Sequence, residues 1–156
     1  MGQLFDALER YFEDDDWHSE RRDETTLEFR VDYGEGREWG CLALAIEDAE
    51  QFLFYSVLLE RAPEDRRAEL GEFVIRANYG LQVGNFELDL DDGEVRFKTS
   101  IDVEGTSLDH QLWRNLVDLN LMMMGVYYDG LMAVIGGDKT AAEAIAAIES
   151  RETSDA

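Results

Sequence analysis

On either side of Asp92-Gly93 the apolar residues fall at every second position. Phe86, Leu88 and Leu90 lead in, and Val95, Phe97, Thr99, Ile101 and Val103 lead away. A period of two lines up one face of a strand, whereas on a helix the same residues would scatter round the axis. Asp-Gly suits a two-residue turn with positive φ, so the segment is expected to be an antiparallel hairpin with one buried face. A lone hairpin is marginal in water, so this one requires further strands and a covering layer.

The rest of the chain supplies both. Residues 26–33 (Thr-Leu-Glu-Phe-Arg-Val-Asp-Tyr) alternate strictly, Gly34-Glu35-Gly36 makes a turn, and further strands are expected over 39–46 and 52–59. Leu4, Phe5, Leu8, Tyr11 and Phe12 fall at helical spacing and give a first helix that ends before the Asp14-Asp15-Asp16 run. Pro63 opens a second helix with Leu70, Phe73, Val74 and Ala77 on its apolar stripe, and Gly80 terminates it. Ser107 is the expected N-cap of a long helix that carries Leu108, Leu112, Leu116, Leu119, Met123, Val126 and Tyr127 and stops at Gly136-Gly137. Thr140-Ala141-Ala142-Glu143 reads as a capping box opening a short Ala-rich helix. The expected fold is α+β, a five-stranded antiparallel sheet with element order α-β-β-β-α-β-β-α plus a short C-terminal helix. Residues 1–150 are expected to form one domain and 151–156 a frayed tail.

The two middle strands differ from the others. Over 39–46, a bulky set (Leu42, Leu44, Ile46) alternates with a small apolar set (Cys41, Ala43, Ala45). Over 52–59, Phe52, Phe54 and Leu58 share one face, and Leu53, Tyr55, Val57 and Leu59 the other. Both faces of these strands therefore need cover, because a bare apolar patch of several hundred Å² (order of magnitude) is unusual on a monomer. Helices on both sides would provide it, and so would a second copy or a bound client. A slipped register would remove the need.

Composition narrows the partners. The 156 residues carry 36 Asp plus Glu against 14 Lys plus Arg, a formal net charge of −22. Such a chain repels phosphate backbones and anionic lipid, so neither nucleic acid nor membrane is an expected partner. Acidity with only two lysines fits either a high-salt host, whose proteins lose structure as salt is removed, or a GC-rich genome with an acidic family. Cys41 is the only cysteine, so no internal disulfide can form. Without a basic-then-apolar leader or a run near 18 apolar residues, the expected compartment is the cytoplasm.

The chain's near-motifs for chemistry each lack a required residue. Gly137-Asp138-Lys139-Thr140 lacks the upstream glycine and leading strand of a phosphate loop. Asp89-Leu90-Asp91-Asp92-Gly93 places its glycine one position early for a calcium loop, and Ser100 stands where the closing Glu belongs. His18 and His110 show no ligand spacing, Cys41 sits inside a strand pattern, and no Gly-x-Ser-x-Gly elbow occurs. No enzyme, metal or cofactor is expected.

The run Val83-Gly84-Asn85-Phe86-Glu87-Leu88-Asp89, followed by residues 92–105 (Asp-Gly-Glu-Val-Arg-Phe-Lys-Thr-Ser-Ile-Asp-Val-Glu-Gly), resembles the hairpin of the YbjN-domain family. Asn120, Met124 and Tyr128 ahead of Leu131-Met132 extend the likeness, which covers roughly residues 4–135. The resemblance implies bacterial sensory-transduction regulators with a fold like that of type III secretion chaperones, which are small, acidic, homodimeric and bind extended client segments. It brings no catalytic residues, and the helix after Gly137 departs from it.

The expected function is a homodimeric, chaperone-like or regulatory adaptor that holds a partner polypeptide, by apolar grooves or by strand addition at a sheet edge. The alternative is a regulator that encloses a small ligand. The candidate contact residues are Leu53, Tyr55 and Val57, with Trp113 and Tyr128 as exposed aromatics of the long helix. An acidic surround would favour basic clients.

Overall fold

The computed structural model describes residues 2–155, and the side chains beyond 151 lie outside the described residues. Helix α1 (Gln3–Asp14) is followed by strands β1 (Glu20–Arg21), β2 (Thr26–Asp32), β3 (Glu38–Ile46) and β4 (Gln51–Leu58). Helix α2 (Arg67–Asn78), strands β5 (Asn85–Leu88) and β6 (Val95–Asp102), and helices α3 (His110–Ile135) and α4 (Ala141–Asp155) complete the chain. The strands form one antiparallel sheet in the order β1-β2-β3-β4-β6-β5.

The sheet has six strands where five were expected. The extra one, β1, spans two residues paired through Glu20↔Glu28 and Arg21↔Leu27, too short to show a period. The hairpin turn also differs. Strand β5 ends at Leu88, opposite Val95, and residues 89–94 form a wider loop in which Gly93 N–H donates to Asp89 O (2.8 Å) and Asp91 N–H to the Asp89 carboxylate (2.8 Å). Gly93 is required there, because it has φ +81° and a Cβ would run into the Ala62 backbone. Leu90 thereby leaves the strand and is exposed.

Helix α3 starts two residues later than Ser107 would allow. Asp109 is its N-cap, and its carboxylate accepts from Leu112 N–H at 2.9 Å. Thr140 caps α4 as expected, with Glu143 N–H on Thr140 Oγ1 at 3.2 Å, but the Glu143 carboxylate accepts from the Thr140 hydroxyl (3.0 Å) in place of the backbone N–H of a full capping box. Helix α4 continues to Asp155, past residue 150. It packs Ala141, Ala144, Ile145 and Ile148 against α2 and α3, and Glu69 of α2 accepts from Ala141 N–H at 2.6 Å.

The four α-helices among the described residues lie on one side of the sheet. Phe5, Leu8 and Phe12 of α1, Phe73 of α2, and Leu116, Val117, Met124 and Leu131 of α3 share one core with Leu27, Phe29, Phe52, Phe54, Phe86 and Phe97 of the strands. The small set of β3 faces this core, with Cys41, Ala43 and Ala45 almost fully buried. Small side chains there let α1 approach the sheet while neighbouring phenylalanines fill the volume. At the centre, buried Asn120 of α3 donates Nδ2–H to Phe54 O (2.9 Å), Phe97 O (3.1 Å) and Thr99 Oγ1 (3.2 Å), tying the helix layer to β4 and β6.

Candidate functional site: the open face of the sheet

With the small set of β3 turned inward, period two sends Leu42 and Leu44 outward. Register places Leu42 opposite Tyr55, Leu44 opposite Leu53, and Gly40 opposite Val57. These side chains belong to no part of the helix-covered core. Leu42, Leu44, Leu53 and Val57 are half-buried, and Ile46 and Leu59 at the strand ends are exposed. They form a continuous apolar strip across the two central strands.

Tyr55 is 7% exposed, and no helix causes it. The Arg96 guanidinium of β6 lies 4.3 Å above its ring centre. Arg96 is held by Glu87 of β5 (2.9 Å), which also pairs with Lys98 (3.5 Å). A polar brace, not a packed layer, covers this tyrosine.

The strip is bordered by both signs of charge. Arg22, Arg30, Arg61, Arg96 and Lys98 all border it, five of the chain's 14 basic residues. Each has a local partner: Arg22–Glu28 (3.8 Å), Arg30–Glu38 (3.1 Å), Arg61–Asp92 (2.6 Å) and Arg61–Glu94 (3.5 Å), besides the Glu87 pairs. The surround is thus balanced, unlike the acidic one expected from composition. A sum over the sequence cannot say on which face the scarce arginines collect.

At the β2 side the strip opens into a solvent-facing cleft of about 790 Å³ floored by Gly40, Leu42 and Val57 and flanked by Arg30, Leu59 and Arg61. The two edges of the sheet differ. At the β5 edge, Asn78 of α2 occupies the outward groups of Phe86, accepting its N–H (2.7 Å) and donating to its C=O (3.0 Å). A foreign strand meets a blocked edge there. At the other edge, Tyr33 N–H donates to Arg37 O and Ala45 N–H to Thr25 O, so odd-numbered residues of β2 bond to β3. Glu28, Arg30 and Asp32 turn their backbone groups away. Strand β1 takes up Glu28, and among the described residues no hydrogen bond reaches the outward groups of Arg30.

The five residues expected at the site divide. Leu53, Tyr55 and Val57 lie together on this face. Trp113 does not: it is 3% exposed, stacked on Tyr11 (5.7 Å) and edge-on to Phe52 (4.4 Å) in the core. Tyr128 is half-buried beside Trp39 (5.9 Å), also on the helix side. Helical spacing alone gave both as exposed, but α1 and the β2–β3 end of the sheet cover them. Leu42, Leu44, Gly40 and Arg96 were not among the candidate contacts. For Leu42 and Leu44 the signal was the bulky–small alternation of β3, whose inward set only packing against α1 identifies; Gly40, and Arg96 on β6, carried no such signal.

Cys41 is buried on the inner face, and burial pushes its thiol up to about 12, the weak Ser56 contact notwithstanding. Among the described residues no group of three His, Cys, Asp or Glu is placed to hold a metal. None of the described helices is long and apolar enough to cross a membrane.

The sequence matches, over residues 4–131, the YbjN family, described as "Putative bacterial sensory transduction regulator". No curated protein matches the sequence. Among solved structures, the fold is similar to that of E. coli YbjN, described as a "putative transcription regulator", with TM-score 0.61 and 12% identity over 86% of this chain and 90% of that one. It is also similar to a chain of the ExoT–SpcS complex from Pseudomonas aeruginosa, with TM-score 0.50 and 13% identity over 78% and 95%. A chain of the ExsC–ExsE complex reaches TM-score 0.47 at 15% identity, covering 78% and 90%. The α+β fold is type III secretion chaperone-like. Helix α4 lies beyond the family match.

Proposed function

The chain belongs to the YbjN family, and from that premise and its uncovered sheet face we propose a non-enzymatic adaptor that holds a partner polypeptide against β3 and β4. The observation that carries this reading is the strip Leu42, Leu44, Leu53 and Val57, which none of the described helices covers. An uncovered apolar strip across the two central strands is an interaction surface rather than a tolerated accident. The free backbone of β2 at Arg30, beside the strip, suits an extended main chain. One chain of the ExoT–SpcS complex, an assembly of two proteins, has a similar fold, which supports the reading without naming this chain's client.

The same adaptor pairs with a second copy through a different surface. Ile75 of α2 and Tyr79, the extended residue just past its end, are 73% and 93% exposed, and Val83 and Leu90 beside β5 are exposed too. Glu72 and Arg76 form an ion pair next to Ile75 (3.5 Å). Two α2 helices crossing antiparallel on a two-fold axis would bury the apolar pair and set each arginine against the other copy's glutamate. Asn78 keeps this a side-chain interface, not a continued sheet.

Site-specific photocrosslinking tests the docking face. With benzoylphenylalanine at Leu53, adducts to another polypeptide are expected in native lysate and should vanish when Tyr55→Asp is added. Equal adducts from Glu143, on α4, or adducts that survive Tyr55→Asp, would remove the face from the proposal. Sedimentation of Ile75→Asp tests the pairing: a monomer is expected, with client adducts from Leu53 retained.

A further inference from the structure

We infer that Gly40 is the floor of a seat for one bulky apolar side chain of the bound polypeptide, and so decides what the open face accepts. The inference rests on the docking reading above and adds the chemistry of the residue that docks.

A glycine inside a central strand weakens the strand, since it costs backbone entropy and packs nothing against its neighbours. The fold retains one where the backbone needs a positive φ or where another group comes too close for a side chain. Gly84 and Gly93 meet both conditions, with φ +78° and +81° and atoms that a Cβ would strike. Gly40 meets neither. It is absent from the positive-φ positions, and the nearest atom to a Cβ there is Val57 O at 3.9 Å. The protein therefore leaves open a space that its own folding does not require.

That space sits where an occupant would gain most. Gly40 pairs with Arg30 on one side and Val57 on the other, with Leu42 two positions along the same face. The aliphatic walls of Leu42, Val57 and Leu59 reward an apolar group with removal from water. A charged group gains little, because Arg22, Arg30 and Arg61 already have carboxylate partners. The main chain of the occupant has its own anchor in the outward N–H and C=O of Arg30, which face the open edge of β2, one strand over from Gly40. A polypeptide presenting a large uncharged side chain satisfies all three conditions, and a small apolar molecule leaves the last one unused.

The experiment uses the full chain, isotope-labelled for amide NMR, titrated with short Ser/Thr host peptides carrying one central Phe, Ala, Glu or Lys. The Phe host is expected to shift the Gly40, Arg30 and Val57 amides and to bind at least about tenfold more tightly than the other three. Gly40→Leu fills the seat, so it should erase the Phe preference while the thermal midpoint holds or rises; Gly40→Ala should reduce the preference in part. A Lys or Glu host that binds as well as the Phe host overturns the inference. So does a Gly40→Leu chain that keeps the preference, or one that melts well below wild type, which would make the glycine structural. Retained preference in Gly40→Leu together with loss of binding in Leu53→Asp removes the seat and leaves the docking face standing. If no host peptide shifts these amides, the face and the seat fall together.

Discussion

The two faces of the sheet are made from the same strands yet obey different rules. On the inner face, Phe52, Phe54 and Phe97 are fully buried among α1 and α3, and even the polar groups there (Ser56, Thr99, Asn120) are closed off from water. On the outer face the side chains one residue along, Leu53 and Val57, reach only half burial, and Tyr55 is shielded by an arginine. Burial sets what a position contributes to stability, so the inner face holds the fold together and the outer face is free to hold something else.

Adjacent residues of β4 offer the sharpest way to break that contrast. Phe54→Ala should cost about 3–5 kcal/mol, as emptied aromatic sites in packed cores do. Leu53→Ala, one position along, should cost under about 1 kcal/mol, because its surroundings can relax into solvent. Urea titration of the pair measures both. Similar losses would mean that the outer face is as structural as the inner.

Next in size is Asn120→Ala, which removes the donor serving Phe54 O, Phe97 O and Thr99 Oγ1. A loss of about 1–3 kcal/mol is expected, with the outer face unchanged in the amide spectrum.

The smallest effect is alkaline. Burial raises Cys41 to about 12, and burial followed by the Asp15 and Asp118 charges raises Tyr11 to about 12. Both groups lie on the helix side and are uncharged when protonated. Their raised values stabilise the folded chain fully below the unfolded values, near pH 9 for the thiol and 10 for the phenol. That stability is lost as pH rises towards about 12. The thermal midpoint should therefore decline across that window, and Cys41 should resist thiol reagents at pH 8 until the chain unfolds. Rapid labelling of folded protein would place Cys41 outside the sealed layer.

Several elements were legible because their signals are local. The alternation on both sides of Asp92-Gly93 gave β5 and β6, helical spacing with Gly136-Gly137 gave the end of α3, and Thr140 with Glu143 gave the start of α4. Where a signal spans two residues or depends on a competing cap, it failed. β1 is too short to have a period, and Asp109 displaced Ser107 because its carboxylate reaches Leu112 N–H. Of the candidate contact residues, the three on β4 could be grouped from strand period alone. Trp113 and Tyr128 could not be placed, since helix spacing does not record which of several apolar stripes meets a neighbour.

The order of helices and strands, the acidity, and the presence of two apolar faces on the central strands were set by the sequence alone, because periodicity and composition are properties of the chain read one residue at a time. Which face of β3 turned inward, where the arginines gathered, and why Gly40 borders empty space were decided only when α1 packed down on Cys41, Ala43 and Ala45. Close packing admits one set of side-chain volumes under a helix, and the set it rejects becomes the surface.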